Sequence, residues 1–137
     1  MDEKILVVNS EKDFLDMMRR TLTLAGFKVD TTENPSDALK LIKKENHKLV
    51  VADTNLSRIN CIKLVKKIKA INPISNVVLL LTYNDRKDVI ECIKLGLTDF
   101  FPKPISDEKL FVQTLKNCIY KISRWEDSIL GNKDVAK

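Results

Sequence analysis

Three side chains of different chemistry each stand close behind a short predicted strand: the Asp53 carboxylate after residues 49–52, the Thr82 hydroxyl after 76–81, and the Lys103 ammonium after 98–101. An aspartate oxygen at such a position can attack phosphorus and form an acyl phosphate. The transferring group carries charge on its equatorial oxygens and needs positive partners. A lysine supplies one as a point charge, and a hydroxyl can donate to another oxygen. Taken singly, each residue has a plainer reading: Asp53 as a helix cap or loop residue, Thr82 as a strand residue, Lys103 as a surface cation. Other chemistries find less support. Cys61, Cys92 and Cys118 are far apart and form no C-x-x-C pair, which argues against a disulfide framework and a zinc site. His47 is the sole histidine, so any Ser/His or Cys/His pair would have to use it; its polar surroundings read as a surface loop.

Three such residues act together only if a scaffold gathers the ends of their strands. Residues 5–8 form a continuous apolar run, as expected of a strand buried on both faces. Leu15, Met18, Leu22 and Ala25 then recur at helical spacing, and Gly26 follows where a helix commonly stops. Residues 28–32 alternate as a second strand. Asn34-Pro35 is a helix start, a capping side chain followed by proline at the first helical position. After the third strand, Leu64, Val65, Ile68 and Ile71 share one helix face, while Lys63, Lys66, Lys67 and Lys69 occupy the solvated one. Asn84 or Asp85 is the expected cap of a fourth helix, carrying Val89, Cys92 and Ile93, and Ser106 that of a fifth. Strand and helix alternate five times, which with right-handed crossovers means a parallel sheet covered on both faces. Ligands of such sheets bind beyond the carboxyl ends of the strands. Here those ends are Asn9-Ser10, Asp53, Thr82 and Lys103.

A chain of 137 residues that is 44% hydrophobic suits one domain with a real core. Its net charge of +5 comes mainly from lysines on predicted helices, and reads as a solvated surface rather than a nucleic-acid interface of this domain. No apolar stretch approaches membrane-spanning length, and Met1-Asp2-Glu3-Lys4 does not read as a signal peptide, so the expected location is the cytoplasm.

With residues 5–8, 50–53, 77–82 and 96–104 in this order, the sequence resembles the receiver domains of bacterial two-component response regulators, from about Lys4 to about Ser123. The resemblance implies a flavodoxin-like, CheY-like doubly wound α/β fold, with five strands in the order 2-1-3-4-5 and five helices. It implies Asp53 as phosphoacceptor, Thr82 as the switch hydroxyl, Phe100 as the switch aromatic, Lys103 as the phosphate partner, and a cis Lys103-Pro104 bond. Asn55 would offer its backbone carbonyl to Mg²⁺. The implied partners are a sensor histidine kinase or a phosphotransfer protein. Enzymatic activity would at most be self-catalysed phosphoryl transfer to Asp53. A receiver over residues 1–123 leaves 124–137 as a helical extension or linker. Ile122, Trp125 and Ile129 continue an apolar stripe past that boundary, suited to an output domain or a homodimer.

The sequence departs from that family at the metal. The two acidic residues expected directly after the first strand are Asn9 and Ser10. Mg²⁺ prefers hard, charge-compensating oxygens in octahedral geometry; the candidates left are Asp53, Asn55, Ser10 and Asn9. Metal binding is therefore expected to be weak or absent, and self-catalysed phosphorylation likewise. A pseudo-receiver, the same fold as a phosphorylation-independent interaction module, is the alternative. Ser57 and Cys61 replace a usual proline and glycine, and Tyr83 follows Thr82 where a small residue is common and could screen Asp53. A flavin- or nucleotide-binding flavodoxin relative would need a Gly- or Ser/Thr-rich phosphate loop, and residues 9–14 contain no glycine. A phosphatase with an aspartyl nucleophile after the first strand finds no aspartate before Asp13.

Overall fold

The computed structural model describes residues 4–82 and 85–131. Five strands and five helices alternate along them: β1 (Lys4–Val8), α1 (Lys12–Leu24), β2 (Lys28–Thr32), α2 (Pro35–Glu45), β3 (Leu49–Asp53), α3 (Cys61–Ile71), β4 (Asn76–Leu81), α4 (Arg86–Lys94), β5 (Asp99–Pro102) and α5 (Glu108–Leu130). All pairings are parallel and the order is β2-β1-β3-β4-β5, as the resemblance implied.

The continuous apolar runs of β1, β3 and β4 are explained by the two faces they serve. Alternate side chains point to opposite sides of a strand. Ile5, Val7, Val51, Val78 and Leu80 pack against α1 and α5, with Phe111 and Leu115 at the centre. Leu6, Val8, Val50, Ala52, Val77 and Leu79 pack against α2, α3 and α4. Each buried aliphatic side chain contributes about 1.5–3 kcal/mol. β2 and β5 lie at the sheet edges and are only half buried. In β5, Phe101 turns inward and meets Phe111 edge-on, with 5.2 Å between ring centroids.

Helix starts follow capping chemistry. The Asn34 side chain accepts from the Ser36 N–H, and the Asn60 side chain from the Lys63 N–H. Two expectations shift by a residue. Asp107, not Ser106, caps α5, its carboxylate accepting from the Leu110 N–H; both are capping types, and the helix begins one residue later. β5 likewise covers 99–102 rather than 98–101; Thr98 lies just before it, its N–H donating to the Val77 carbonyl and its hydroxyl to the Asn76 side chain.

His47 is a correction. It is buried, not a surface loop residue: Nε2 lies 2.7 Å from Asp30 of β2 and Nδ1 3.3 Å from the Leu41 carbonyl. Lys69 also leaves its expected solvated face. Its ammonium donates to the Ser75 carbonyl at 2.5 Å, and burial, then the Lys121 charge, pull its pKa down. α5 is one unbroken helix of 23 residues, and it passes through the expected boundary at 123/124. Glu126 is tied to Lys48, just before β3, at 2.7 Å. The tail beyond Gly131 lies outside the described residues.

Candidate functional site

Parallel pairing puts the carboxyl ends of β1, β3, β4 and β5 on one edge, and the backbone fixes what lies there. Asp53 is the last residue of β3, opposite Leu80. Its carboxylate is almost fully buried and each oxygen has two donors. Oδ2 accepts from the Lys103 ammonium and, at 3.0 Å, from the Asn9 amide. Oδ1 accepts from the Asn55 N–H at 2.9 Å and the Thr82 hydroxyl at 3.3 Å. The Lys103-Pro104 bond is cis, and the Lys103 ammonium also lies 5.6 Å from the Phe14 ring centroid. A buried carboxylate with a lysine partner and three further donors is electrostatically complete.

The sequence-derived candidates thus divide. Asp53, Thr82, Lys103, Asn9 and the Asn55 backbone come together. Ser10 is exposed at the rim and has no hydrogen bond to Asp53 among the described residues. Phe100 faces outward on β5 and is 37% exposed, so its ring does not fill the space beside Thr82. Tyr83 and Asn84, read as a screen and a possible cap, lie outside the described residues.

Two features were not foreseen. The Asn9 side-chain oxygen accepts the Glu11 N–H at 2.8 Å, which orients the amide so that its N–H₂ group faces Asp53. Asn9 therefore presents a donor to the carboxylate, not an oxygen. The second is Thr54, directly after the acidic residue and 4% exposed. Its hydroxyl accepts the Thr82 N–H at 2.9 Å and donates to the Asp85 carboxylate at 3.0 Å. One hydroxyl thereby ties the end of β4 to the start of α4, where Asp85 makes no side-chain cap of its own. A second polar residue directly after Asp53 was the available signal.

Elsewhere among the described residues, the titratable groups do not build a second reactive centre. The Cys61 and Cys92 thiols are 3.9 Å apart and buried. Burial, then the Cys92 thiol, pushes Cys61 up to about 12, and burial raises Cys92 and Cys118 as well. Such thiols are inert nucleophiles. Oxygens of Asp30 and Glu45 and a His47 nitrogen lie within 4.8 Å of one another. That group sits away from Asp53, and the Lys4 ammonium lies 3.8 Å from Asp30 and 3.6 Å from Glu45.

Comparison with known proteins bears on this geometry. A family model described as the response regulator receiver domain matches residues 5–115. A cyclic di-GMP phosphodiesterase of Thermotoga maritima is 32% identical over 88% of this chain and 33% of its own length. The CpxR homolog of Haemophilus influenzae, a transcriptional regulatory protein, is 29% identical over 80% of this chain and 48% of its own. The chain thus spans a third to a half of these relatives. Among solved structures, a receiver domain protein from Clostridium thermocellum superposes with a TM-score of 0.85 at 22% identity, covering 90% of this chain and 98% of that one. A structure described as an adenylate cyclase from Rhodopirellula baltica gives 0.82 at 22% identity, covering 99% and 98%.

Proposed function

Because this chain belongs to the response regulator receiver domain family, and so is a receiver of two-component signalling, we propose that Asp53 is its phosphoacceptor. The observation that carries this reading is the buried Asp53 carboxylate, held by Lys103 and Thr82 from two neighbouring strand ends. In the proposed step an Asp53 oxygen attacks the phosphorus of a phosphohistidine, the P–N bond breaks, and an acyl phosphate forms while the imidazole leaves with the N–P electron pair. Lys103 compensates charge on the phosphoryl oxygens, and Thr82 and the Asn9 amide turn their O–H and N–H groups from the carboxylate to those oxygens. The donor of the group is a sensor histidine kinase or a phosphotransfer protein, and the site of action is the cytoplasm. Movement of Thr82 toward the phosphate, with Phe100 turning inward, is the proposed switch. The relatives' greater length supports an output domain elsewhere in the protein, or a homodimer through α5. Contacts to nucleic acid are not assigned to this domain.

Members of this family generally bind Mg²⁺. The residues here do not fit that ion. Asn9 directs N–H rather than oxygen at Asp53, Ser10 is neutral and at the rim, and Lys103 already balances the one carboxylate. We propose that Mg²⁺ binding is weak or absent and that transfer from small phosphodonors is slow. The orientation of Asn9 also favours a second reading, a pseudo-receiver that signals by binding alone. Mass spectrometry after incubation with a histidine phosphotransfer protein, and separately with a small phosphodonor, decides. Modification of Asp53 by the protein donor, with little Mg²⁺-dependent modification by the small one, is expected. Efficient Mg²⁺-dependent modification by the small donor would refute the metal-poor reading, and no modification by either would leave the pseudo-receiver.

A further inference from the structure

Between the starts of α2 and α3 lies a half-open cleft of about 250 Å³. Pro35, Leu39 and Ile59 give it an apolar floor, and Arg58, Lys63 and Lys67 line it with positive charge. No carboxylate of the described residues is in the lining. None of the three cations has a side-chain hydrogen bond or ion pair to another described residue. An unpaired lysine on a helix is ordinary; three unpaired cations converging on one apolar floor are not. The neighbouring α3 lysine, Lys69, shows the contrast, since its ammonium is spent on the Ser75 carbonyl.

The cleft continues past Asn34, Pro35 and Arg58 into a second space of about 350 Å³, which reaches Ser10 and Ser57 and includes Glu33 in its lining. At Ser10 the rim that carries acid in the family is neutral here. Both helices also start at the cleft, and although Asn34 and Asn60 cap them, their dipole ends add some partial positive charge.

We infer that this cleft binds a small organic di- or triphosphate, its phosphates held by Arg58, Lys63 and Lys67 and its flat or apolar body laid on Pro35, Leu39 and Ile59. The unpaired charge calls for a polyanion, the floor for an apolar group attached to it, and the size of the cleft for a small molecule rather than a folded partner. Binding here does not depend on Asp53 being a phosphoacceptor.

The test is amide NMR of the whole chain in chelator, with ADP as the probe. Saturable shifts are expected at Ser36, Leu39, Ile59 and Lys63. Pyrophosphate should act on the same amides more weakly, because it leaves the floor uncovered. Lys63→Gln/Lys67→Gln, both exposed changes that spare the fold, should weaken ADP by about tenfold or more, since two charge-assisted contacts are lost together. Absence of saturable shifts would overturn the inference. So would equal shifts across the lysines of α1 and α5, pyrophosphate binding as tightly as ADP, or a glutamate-rich peptide matching it. Loss of binding in Lys103→Gln would put the anion at Asp53 instead, and overturn it too.

Discussion

Asn9→Asp restores one family carboxylate and has a cost that can be worked out from the pocket. The Asn9 amide donates to Asp53 Oδ2 at 3.0 Å, so the variant exchanges a hydrogen bond to a charged group for two like charges at contact. The lost bond is worth about 1.5–3 kcal/mol. The repulsion adds roughly 4 kcal/mol at a separation of about 4 Å and an effective dielectric of 20. A proton limits the total: neutralising a carboxyl of ordinary pKa at pH 7 costs about 1.4 kcal/mol per unit, or ~4 kcal/mol. Once protonated, the introduced carboxyl also donates in place of the amide. The expected destabilisation in chelator is therefore about 3–4 kcal/mol at pH 7, falling to about 1.5 kcal/mol at pH 5 as the proton becomes cheaper. For a chain of this size that is a drop in Tm of about 10 °C or more at pH 7. Mg²⁺ should recover most of it in Asn9→Asp/Ser10→Asp and change the wild type little, read by thermal melts in chelator and in Mg²⁺ at both pH values. Equal stability of Asn9→Asp and wild type in chelator at pH 7, or an equal Mg²⁺ gain in both, would refute the reasoning.

Thr54→Val keeps the shape but strips the Thr82 N–H and the Asp85 carboxylate of their partner, so a loss of about 2 kcal/mol in urea unfolding is expected. Amide exchange at Thr82 should accelerate with it; unchanged exchange would remove Thr54 from the coupling. Arg58 adopts a left-handed backbone with φ 73°. Arg58→Val should be less stable than Arg58→Gly by about 1–2 kcal/mol, because only glycine adopts that conformation freely. The raised Cys61 pKa, from 9.0 to about 12, favours the neutral thiol in the fold. Its contribution is intact below pH 9 and lost between pH 9 and about 12, so stability should fall through that window less steeply in Cys61→Ala. Native protein at pH 8 should leave all three thiols unlabelled by a disulfide reagent until urea is added.

The strand ends were legible because unbroken apolar runs end abruptly at polar residues, and a parallel sheet brings such ends to one edge. Asp53 and Thr82 could be named for that reason alone, whereas Lys103 follows a mixed strand, residues 98–101, and was placed by the alternation of strand and helix around it. The role of Asn9 was half legible. Its neutrality could be read, but the direction of its amide depends on the Glu11 N–H two residues later, which exists only once the loop closes. His47 was misread because its burial is decided across the sheet by Asp30, a partner 17 positions away that local polarity does not reveal. The displacement of the α5 cap from Ser106 to Asp107 is a contest between two adjacent capping residues, and pattern alone has no means of ranking them. Thr54 was passed over because its meaning lies in two partners, Thr82 and Asp85, supplied by a different loop.

The Lys48–Glu126 ion pair gives α5 a mechanical character. The helix is clamped along its length by Phe111, Leu115, Cys118 and Ile122, and pinned near its end at Glu126. Past that pin, Ile129 and Leu130 are 66% and 75% exposed. The pin acts as a fulcrum, and residues 127–130 are the described part of the helix beyond it. Four residues make about 6 Å of arm, so a tilt of about 10° at the clamp moves the tip only ~1 Å. A roll of the helix about its own axis displaces more surface than such a tilt, because it re-aims Ile129 and Leu130 together, as one blade.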